Sequence, residues 1–396
     1  MLLALLLLTR DTMYSMMVWD FYTCQFLSLG IIGIMGLMFL VLNRKQLKEI
    51  LTDKRMYLIG FALAATLLPM AVKRDIQLMY FSIILGMLFA VFLSYFLTLK
   101  EAALWYVKTM CILGIWSVLC AYILRIFIDT GMVSVTPVVN GNGVEFYNFI
   151  FAIVPDEYVK TRNFGIFREP GVYQFFLFMA LYLNNYVVSW DSEKKYWTAN
   201  CILAVTMLTT FATGGMMEMC ILAAVLFFER KWYRSKVILT VIAVLAVLAG
   251  IVVWYCVSTQ NELYWALLDM VAKFTRNPES TGSRLASIAM GVGIFLKHPF
   301  VGANVETVLH SMVDYTTSSL ILYNIFGILG GTLNVACWFA LIWSKKRKII
   351  VNLLLLLAAF MSFNTQNLTW NIFFWLFPAM ALTERVIPLI SSKKKV

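Results

Sequence analysis

The chain has 396 residues, of which 61% are apolar and 15% aromatic, and its mean hydropathy is +0.81. A soluble globular domain uses about half apolar residues, so this composition excludes one and indicates a polytopic membrane protein. The net charge of +11 invites a nucleic-acid reading, but most of the basic residues sit in short connections between apolar runs, which excludes it.

Apolar runs of about 17–25 residues suit a bilayer core about 30 Å thick. Ten such runs are predicted as spans, over 21–42, 56–72, 76–99, 104–128, 172–190, 196–213, 237–257, 317–343, 349–363 and 368–390. Residues 215–228 form a shorter eleventh. Residues 1–19 form a degenerate twelfth, with Arg10 and Asp11 in its middle. A cleaved signal peptide is the alternative there, but no basic segment precedes 2–8 and no convincing small-residue cleavage site follows. The expected fold class is all-α: one transmembrane domain over 1–396 with about 11–12 helices and two long extracytoplasmic loops, 129–171 and 258–316.

Alternate connections collect lysine and arginine, as cytoplasmic loops do. Arg44, Lys45, Lys48, Lys54 and Arg55 fill the first, Lys194 and Lys195 the next, Arg230, Lys231, Arg234 and Lys236 the third, and Lys345 to Lys348 the fourth, while Lys393 to Lys395 end the chain. The C-terminus is therefore expected in the cytoplasm and the two long loops outside. Cys24, Cys111, Cys120, Cys201, Cys220, Cys256 and Cys337 lie in or beside apolar spans without metal-ligand spacing, and read as small core residues; neither metal nor cofactor is expected. Gly30, Gly33 and Gly36 repeat every three residues and predict close approach of another backbone; Gly327, Gly330 and Gly331 read alike. Arg125, near a helix end, is expected to snorkel to the outer interface.

The first outer loop ends in T-R-N-F-G-I-F-R-E-P-G, from Thr161 to Gly171. Proline and glycine suit a helix entry. Arg162 and Arg168 either sit at headgroup level or face a cavity in which guanidinium groups pair bidentately with phosphate oxygens. The second outer loop holds an apolar segment, 285–296, too short to cross and read as interfacial or re-entrant. Ser280 to Arg284 precede it and K-H-P-F-V-G, Lys297 to Gly302, follows. His298 and His310 are the chain's two histidines, structural or chemical. Glu218, alone in an apolar segment, reads either as a structural hydrogen-bonding group or as a proton-coupling group of a transporter. Tyr147, Tyr158 and Tyr173 serve equally as glycan contacts or interfacial aromatics.

In order and topology these residues resemble the O-antigen ligase and polymerase superfamily, the Wzy-type polymerases of bacterial surface polysaccharide, over most of the chain. Arg162 with Glu169-Pro170-Gly171 is similar to the family's span-entry motif, and Leu208 to Gly215 to its hydroxyl-rich span end. Arg284, His298, Pro299 and Gly302 match an arginine before a short helix and an H-P-x-x-G turn after it. Many relatives carry an arginine after the hydroxyl-rich end, where this chain has Gly214 and Gly215. Ligase-type members place a histidine and asparagine just before the span that here begins near Thr317, where this chain has Thr316, Thr317 and Ser318, which favours polymerase over ligase.

The resemblance implies an inverting membrane glycosyltransferase at the outer leaflet of the bacterial cytoplasmic membrane, using a polyprenyl-diphosphate-linked glycan donor and the non-reducing end of a second lipid-linked repeat as acceptor. The donor arrives activated, so no nucleotide is needed. Arg162, Arg168 and Arg284 are the expected diphosphate clamp. His310 or His298 is the expected proton acceptor, with Glu169 the next candidate. Partners would be membrane lipids and other polysaccharide assembly proteins. The rival class is a lipid-linked oligosaccharide flippase or transporter, which often shows internal repeats; the two halves of this chain share none.

Overall fold

The computed structural model describes residues 2–19, 21–42, 52–77, 80–139, 143–156, 161–261, 263–265, 268, 278–311 and 317–386. Arg44, Lys45 and Lys48 of the first basic connection, Tyr158, and the terminal Lys393 to Lys395 lie outside them.

The chain is a helical bundle. Its helices are α1 (Leu2–Leu8), α2 (Phe21–Leu42), α3 (Met56–Lys73), α4 (Phe81–Phe96), α5 (Leu99–Asp129), α6 (Pro170–Tyr186), α7 (Glu193–Thr209), α8 (Thr213–Glu229), α9 (Lys236–Thr259), α10 (Pro278–Lys297), α11 (Val305–Ser311), α12 (Ser318–Ile342), α13 (Ile349–Asn364) and α14 (Ile372–Ala381). Four of them, α3, α5, α9 and α12, are long and apolar enough to cross a bilayer, and parts of α2, α4, α10 and α13 make shorter apolar helices. The core is built by α14 packing on α4 and α12, α8 on α13, and α5 on α6 and α7. α6 and α14 are buried along nearly their whole length. α9, by contrast, is exposed almost all round although its side chains are nearly all apolar, as suits a helix whose solvent is lipid.

Local chemistry sets the helix ends. Thr98 and Glu101 form a reciprocal capping box at the start of α5. Pro170 occupies the first turn of α6, where its missing N–H costs nothing. Asn371 Oδ1 accepts from Phe373 N at 3.0 Å and starts α14.

Contacts gather the connections into two ends. At one end Tyr186 OH donates to Glu229 at 2.9 Å, Arg347 lies 4.1 Å from the Tyr186 ring centroid, Arg230 lies over the Tyr196 ring, and Leu99 N donates to Glu384 at 2.7 Å. The basic connections after α6, α8 and α12 therefore share a face. At the other end Ser318 Oγ donates to Gln366 O at 2.7 Å, Asn163 Nδ2 to Thr209 Oγ1 at 3.0 Å, and Asn371 Nδ2 to Arg10 O at 2.8 Å.

Several expectations change. Residues 1–19 are not one span: α1 ends at Leu8, Asp11 takes a positive φ of 76°, and a π-helical turn follows over Tyr14–Val18. The first long loop is not all irregular, since it holds an antiparallel meander, β1 (Pro137–Val139), β2 (Glu145–Asn148) and β3 (Ile153–Pro155). Arg125 does not snorkel. It is buried, donating through Nη1 to Pro155 O at 2.6 Å and through Nη2 to Asp156 O, so it ties α5 to the sheet. Gly30 and Gly33 have nothing within 4 Å of the place where a Cβ would stand, so no backbone approaches them among the described residues.

α12 is broken at Gly327, with φ 62° and ψ −158°. A helix break in an apolar layer frees backbone groups that must be satisfied locally. Here the turn between α10 and α11 supplies the partners: Ala303 N donates to Asn324 O at 2.7 Å, and Pro299 O accepts from Ile328 N at 2.8 Å. Lys73 Nζ donates to Ile325 O at 2.6 Å and to Ala303 O at 2.8 Å. Gly302 and Gly327 let the two backbones touch, since a Cβ on either would overlap a carbonyl oxygen of the other segment, that of Ile325 or of Phe300. The H-P-x-x-G turn thus fits into the broken helix, and Gly327 does more than ordinary glycine packing.

Candidate functional site

The site begins with the extended backbone that precedes α6. Arg168 N donates to Asp11 O at 2.9 Å and Met13 N to Ile166 O at 2.8 Å, so the N-terminal turn runs alongside the R-E-P-G segment. The Arg168 guanidinium then bridges two acids: Nε lies 2.8 Å from Asp11 Oδ1 and Nη1 2.7 Å from Glu169 Oε1. The Asp11 side chain is only 2% exposed, while that of Glu169 is 43% exposed. Burial works against the charge on Arg168, but Asp11 and then Glu169 outweigh it and hold the guanidinium more firmly protonated than usual.

Arg10 stands on the other side of Asp11. Burial lowers its pKa, Asp11 opposes that effect, and the neighbouring Arg168 charge adds to it. Two guanidinium groups and two carboxylates are thus gathered at one end of the bundle. Beside Arg10 is a small cavity of about 20 Å³, lined by Leu8, Thr9, Arg10, Gln25, Ser28, Leu85, Trp370 and Ile372. Thr9 Oγ1 donates to Asn371 Oδ1 at 2.9 Å, fixing its wall. Gln25 Oε1 is buried there with no hydrogen-bond partner among the described residues, as is Asp11 Oδ2. One water molecule would fill this space and meet the hydroxyl, amide and guanidinium groups of its wall.

The other expected residues are placed differently. Arg162 Nε donates to Thr210 O at 3.1 Å, where it satisfies a carbonyl at the C-terminal end of α7. Arg284 lies in the backbone of α10, its side chain outside the described residues. His298 follows the last residue of α10, and its exposed side chain contrasts with its carbonyl, which accepts from Gly302 N at 3.1 Å. His310, near the end of α11, has an 80% exposed side chain 3.7 Å from Glu306. Neither histidine joins the Arg168 cluster by a hydrogen bond or ion pair among the described residues. Tyr147 OH donates to Asp156 at 2.7 Å and so braces the small sheet. Tyr173 is buried with its hydroxyl 3.1 Å from Ser117 Oγ, which removes it from the interface.

Two groupings had little signal in the sequence. Lys73, Asp75 and Tyr80 sit between α3 and α4: Tyr80 OH donates to Asp75 Oδ2 at 2.8 Å, and Val305 N to the same oxygen at 3.0 Å. Burial pushes the Asp75 pKa up, but hydrogen bonds from Val305 N, Tyr80 and Gln77, with the Lys73 charge, bring it below the ordinary range. The second grouping is Gln174, Glu218 and Thr365, where α6, α8 and α13 meet. Among the described residues no three of His, Cys, Asp and Glu come together so as to hold a metal ion. No family model, curated protein or solved structure matches this chain.

Proposed function

We propose that this chain is a multi-spanning membrane glycosyltransferase that polymerises bacterial surface polysaccharide, moving a glycan from a polyprenyl-diphosphate carrier onto the non-reducing end of a second lipid-linked repeat. The observation that carries the reading is the Arg10–Asp11–Arg168–Glu169 cluster. It lies at the end of the bundle opposite the basic connections. By the positive-inside rule those connections face the cytoplasm of a bacterial inner membrane, so the cluster faces outward, where such lipid-linked repeats are presented. About 11–12 spans and a cytoplasmic C-terminus follow from the same assignment.

In this reading the acceptor hydroxyl oxygen attacks the anomeric carbon as the carbon–oxygen bond to the diphosphate breaks, and the bonding pair leaves with the diphosphate. Negative charge grows on the leaving oxygen, and fixed guanidinium groups stabilise it as it forms. We assign that role to Arg168 and Arg10, with Arg162 and Arg284 as further contributors from the flanking segments. Glu169, half-exposed beside Arg168, takes the acceptor proton in preference to His298 or His310, whose side chains point to solvent. A single in-line displacement inverts the anomeric centre.

The test is the length distribution of surface polysaccharide in cells that lack this gene, complemented with wild type, Glu169→Gln or Arg284→Ala at equal membrane abundance. Single repeats in the null and in both variants, with long chains restored by wild type, are expected. Long chains in the null sink polymerisation, and long chains left unattached to their final acceptor move the assignment to ligation.

A further inference from the structure

Glu218 is fully buried in the second turn of α8. Its Oε1 receives one long contact, 3.5 Å from Gln174 Nε2, and its Oε2 has no hydrogen-bond partner among the described residues. Ser362 of α13 lies beside it, and its Oγ is equally buried and unpartnered. The Gln174 amide cannot turn round to offer more, because its Oε1 accepts from Gly215 N and its Nε2 donates to Thr365 Oγ1 at 2.8 Å.

Among the described residues the elements packed around Glu218 bring no cation to it. α6 presents Gln174, α13 presents Ser362 and Thr365, and α7 brings Met207 against Gly215. On α8 itself the next charged residue is Glu229, and Arg230, Lys231 and Arg234 lie beyond it. Those groups are eleven or more residues further along the helix, about 16 Å away at 1.5 Å per residue. An ionised carboxylate in this setting would have one hydroxyl and one long amide contact to replace its hydration, at a cost of several kcal/mol. A neutral carboxyl avoids that cost, and the Ser362 hydroxyl is positioned to accept its proton.

We propose that this is a proton-binding site, in which Glu218 holds a proton in the folded protein at neutral pH and shares it with Ser362 Oγ. The site is linked to the outward end through Gln174, which lies one turn beyond Gly171, while Gly171 packs against Gln366, next to Thr365. Losing the proton therefore strains the side chains that seat the start of α6. Glu218 would hold that proton whether or not the chain is a glycosyltransferase.

Infrared difference spectroscopy on the purified full chain in lipid nanodiscs tests it, because a neutral carboxylic acid absorbs apart from carboxylates. At neutral pH wild type minus Glu218→Gln should show one neutral-acid band, sensitive to exchange into heavy water. Should that variant fail to fold, wild type grown with carbon-13 glutamate supplies the same reading as an isotope shift of the band. The absence of a neutral-acid band in wild type means an ionised Glu218 and overturns the proposal. Its disappearance on adding sodium chloride at constant pH means a metal cation is the occupant, and also overturns it. As an independent check, wild type should lose thermal stability more steeply than Glu218→Gln as pH rises from the ordinary carboxyl range to neutral, since there unfolding releases the proton that the folded state holds; equal slopes count against the site.

Discussion

Arg168 and Asp11 are 157 residues apart in sequence, yet the guanidinium Nε lies 2.8 Å from Asp11 Oδ1 and the Arg168 amide donates to the Asp11 carbonyl at 2.9 Å. The contact joins the N-terminal turn to the entry of α6. It also explains why two charged residues interrupt the first apolar stretch: Asp11 pairs with the entry of α6, and the segment is not a flawed span.

Removing Arg168 should therefore cost more than removing the pair. Arg168→Ala leaves the almost fully buried Asp11 carboxylate uncompensated, and about 2–3 kcal/mol of destabilisation is expected, below the roughly 3–5 kcal/mol of a fully enclosed pair because Arg168 is partly exposed. Adding Asp11→Asn to it should recover part of the loss. Arg168→Lys should restore little, because one ammonium cannot reproduce the fork that reaches both Asp11 and Glu169. Thermal unfolding of wild type, Arg168→Ala, Asp11→Asn and the double variant in one detergent gives the double-mutant cycle, and strictly additive losses would contradict the pairing.

The glycines separate sharply. Gly302 and Gly327 both have positive φ and a facing carbonyl where a side-chain methyl would have to stand, whereas Gly30 and Gly33 have open space. Gly302→Ala and Gly327→Ala should each destabilise by at least the conformational cost of about 1–3 kcal/mol. Gly30→Ala and Gly33→Ala should be neutral or slightly stabilising, through helix propensity. The melting temperatures of these four variants rank the sites directly, and a harmless Gly327→Ala would disprove the close fit of the H-P-x-x-G turn into α12.

Asp75 predicts an acid-side dependence. Burial acts to raise its folded pKa, but hydrogen bonds from Val305 N, Tyr80 and Gln77 and the Lys73 charge together exceed that effect and hold it below the ordinary 3.8. A depressed carboxyl contributes stability that is complete above the unfolded value and is lost as pH falls through the folded one. Wild type should thus lose stability below about pH 4 more steeply than Asp75→Asn, which keeps an acceptor for Tyr80 and Val305 but has no charge to titrate. Parallel melting curves for the two proteins across that range would remove Asp75 as the cause.

The membrane class was legible because apolar run length is a local property, and α3, α5, α9 and α12 lie on the apolar runs. The start of α6 was legible too, since Pro170 at its first turn is dictated by proline chemistry. What stayed hidden depends on partners distant in sequence. Nothing near Lys73 indicates that it will meet carbonyls of Ala303 and Ile325, 230 and 252 residues away. Nothing near Arg10 indicates that its neighbour will pair with Arg168. The break at Gly327 is a backbone event that the residue pattern leaves open, because glycine serves helix packing and helix breaking equally.

The last prediction separates the candidate proton acceptors. His310 is 80% exposed and lies 3.7 Å from Glu306, on its own helix, whereas Glu169 is held by Arg168 at 2.7 Å within the charged cluster. Glu169→Gln removes a base but keeps size and a hydrogen-bonding carbonyl, so a fall of about 10²–10⁴ in the rate of chain extension is expected, the usual contribution of a positioned acid or base. His310→Ala and His298→Ala should each keep the wild-type rate within about threefold, as loss of a solvated surface group costs little. The assay is incorporation of lipid-linked repeats into longer chains by purified protein in vesicles, with the pH profile recorded for each variant. If Glu169→Gln stays fast and His310→Ala becomes slow, α11 must close over the charged cluster during turnover, and the proton acceptor is the histidine.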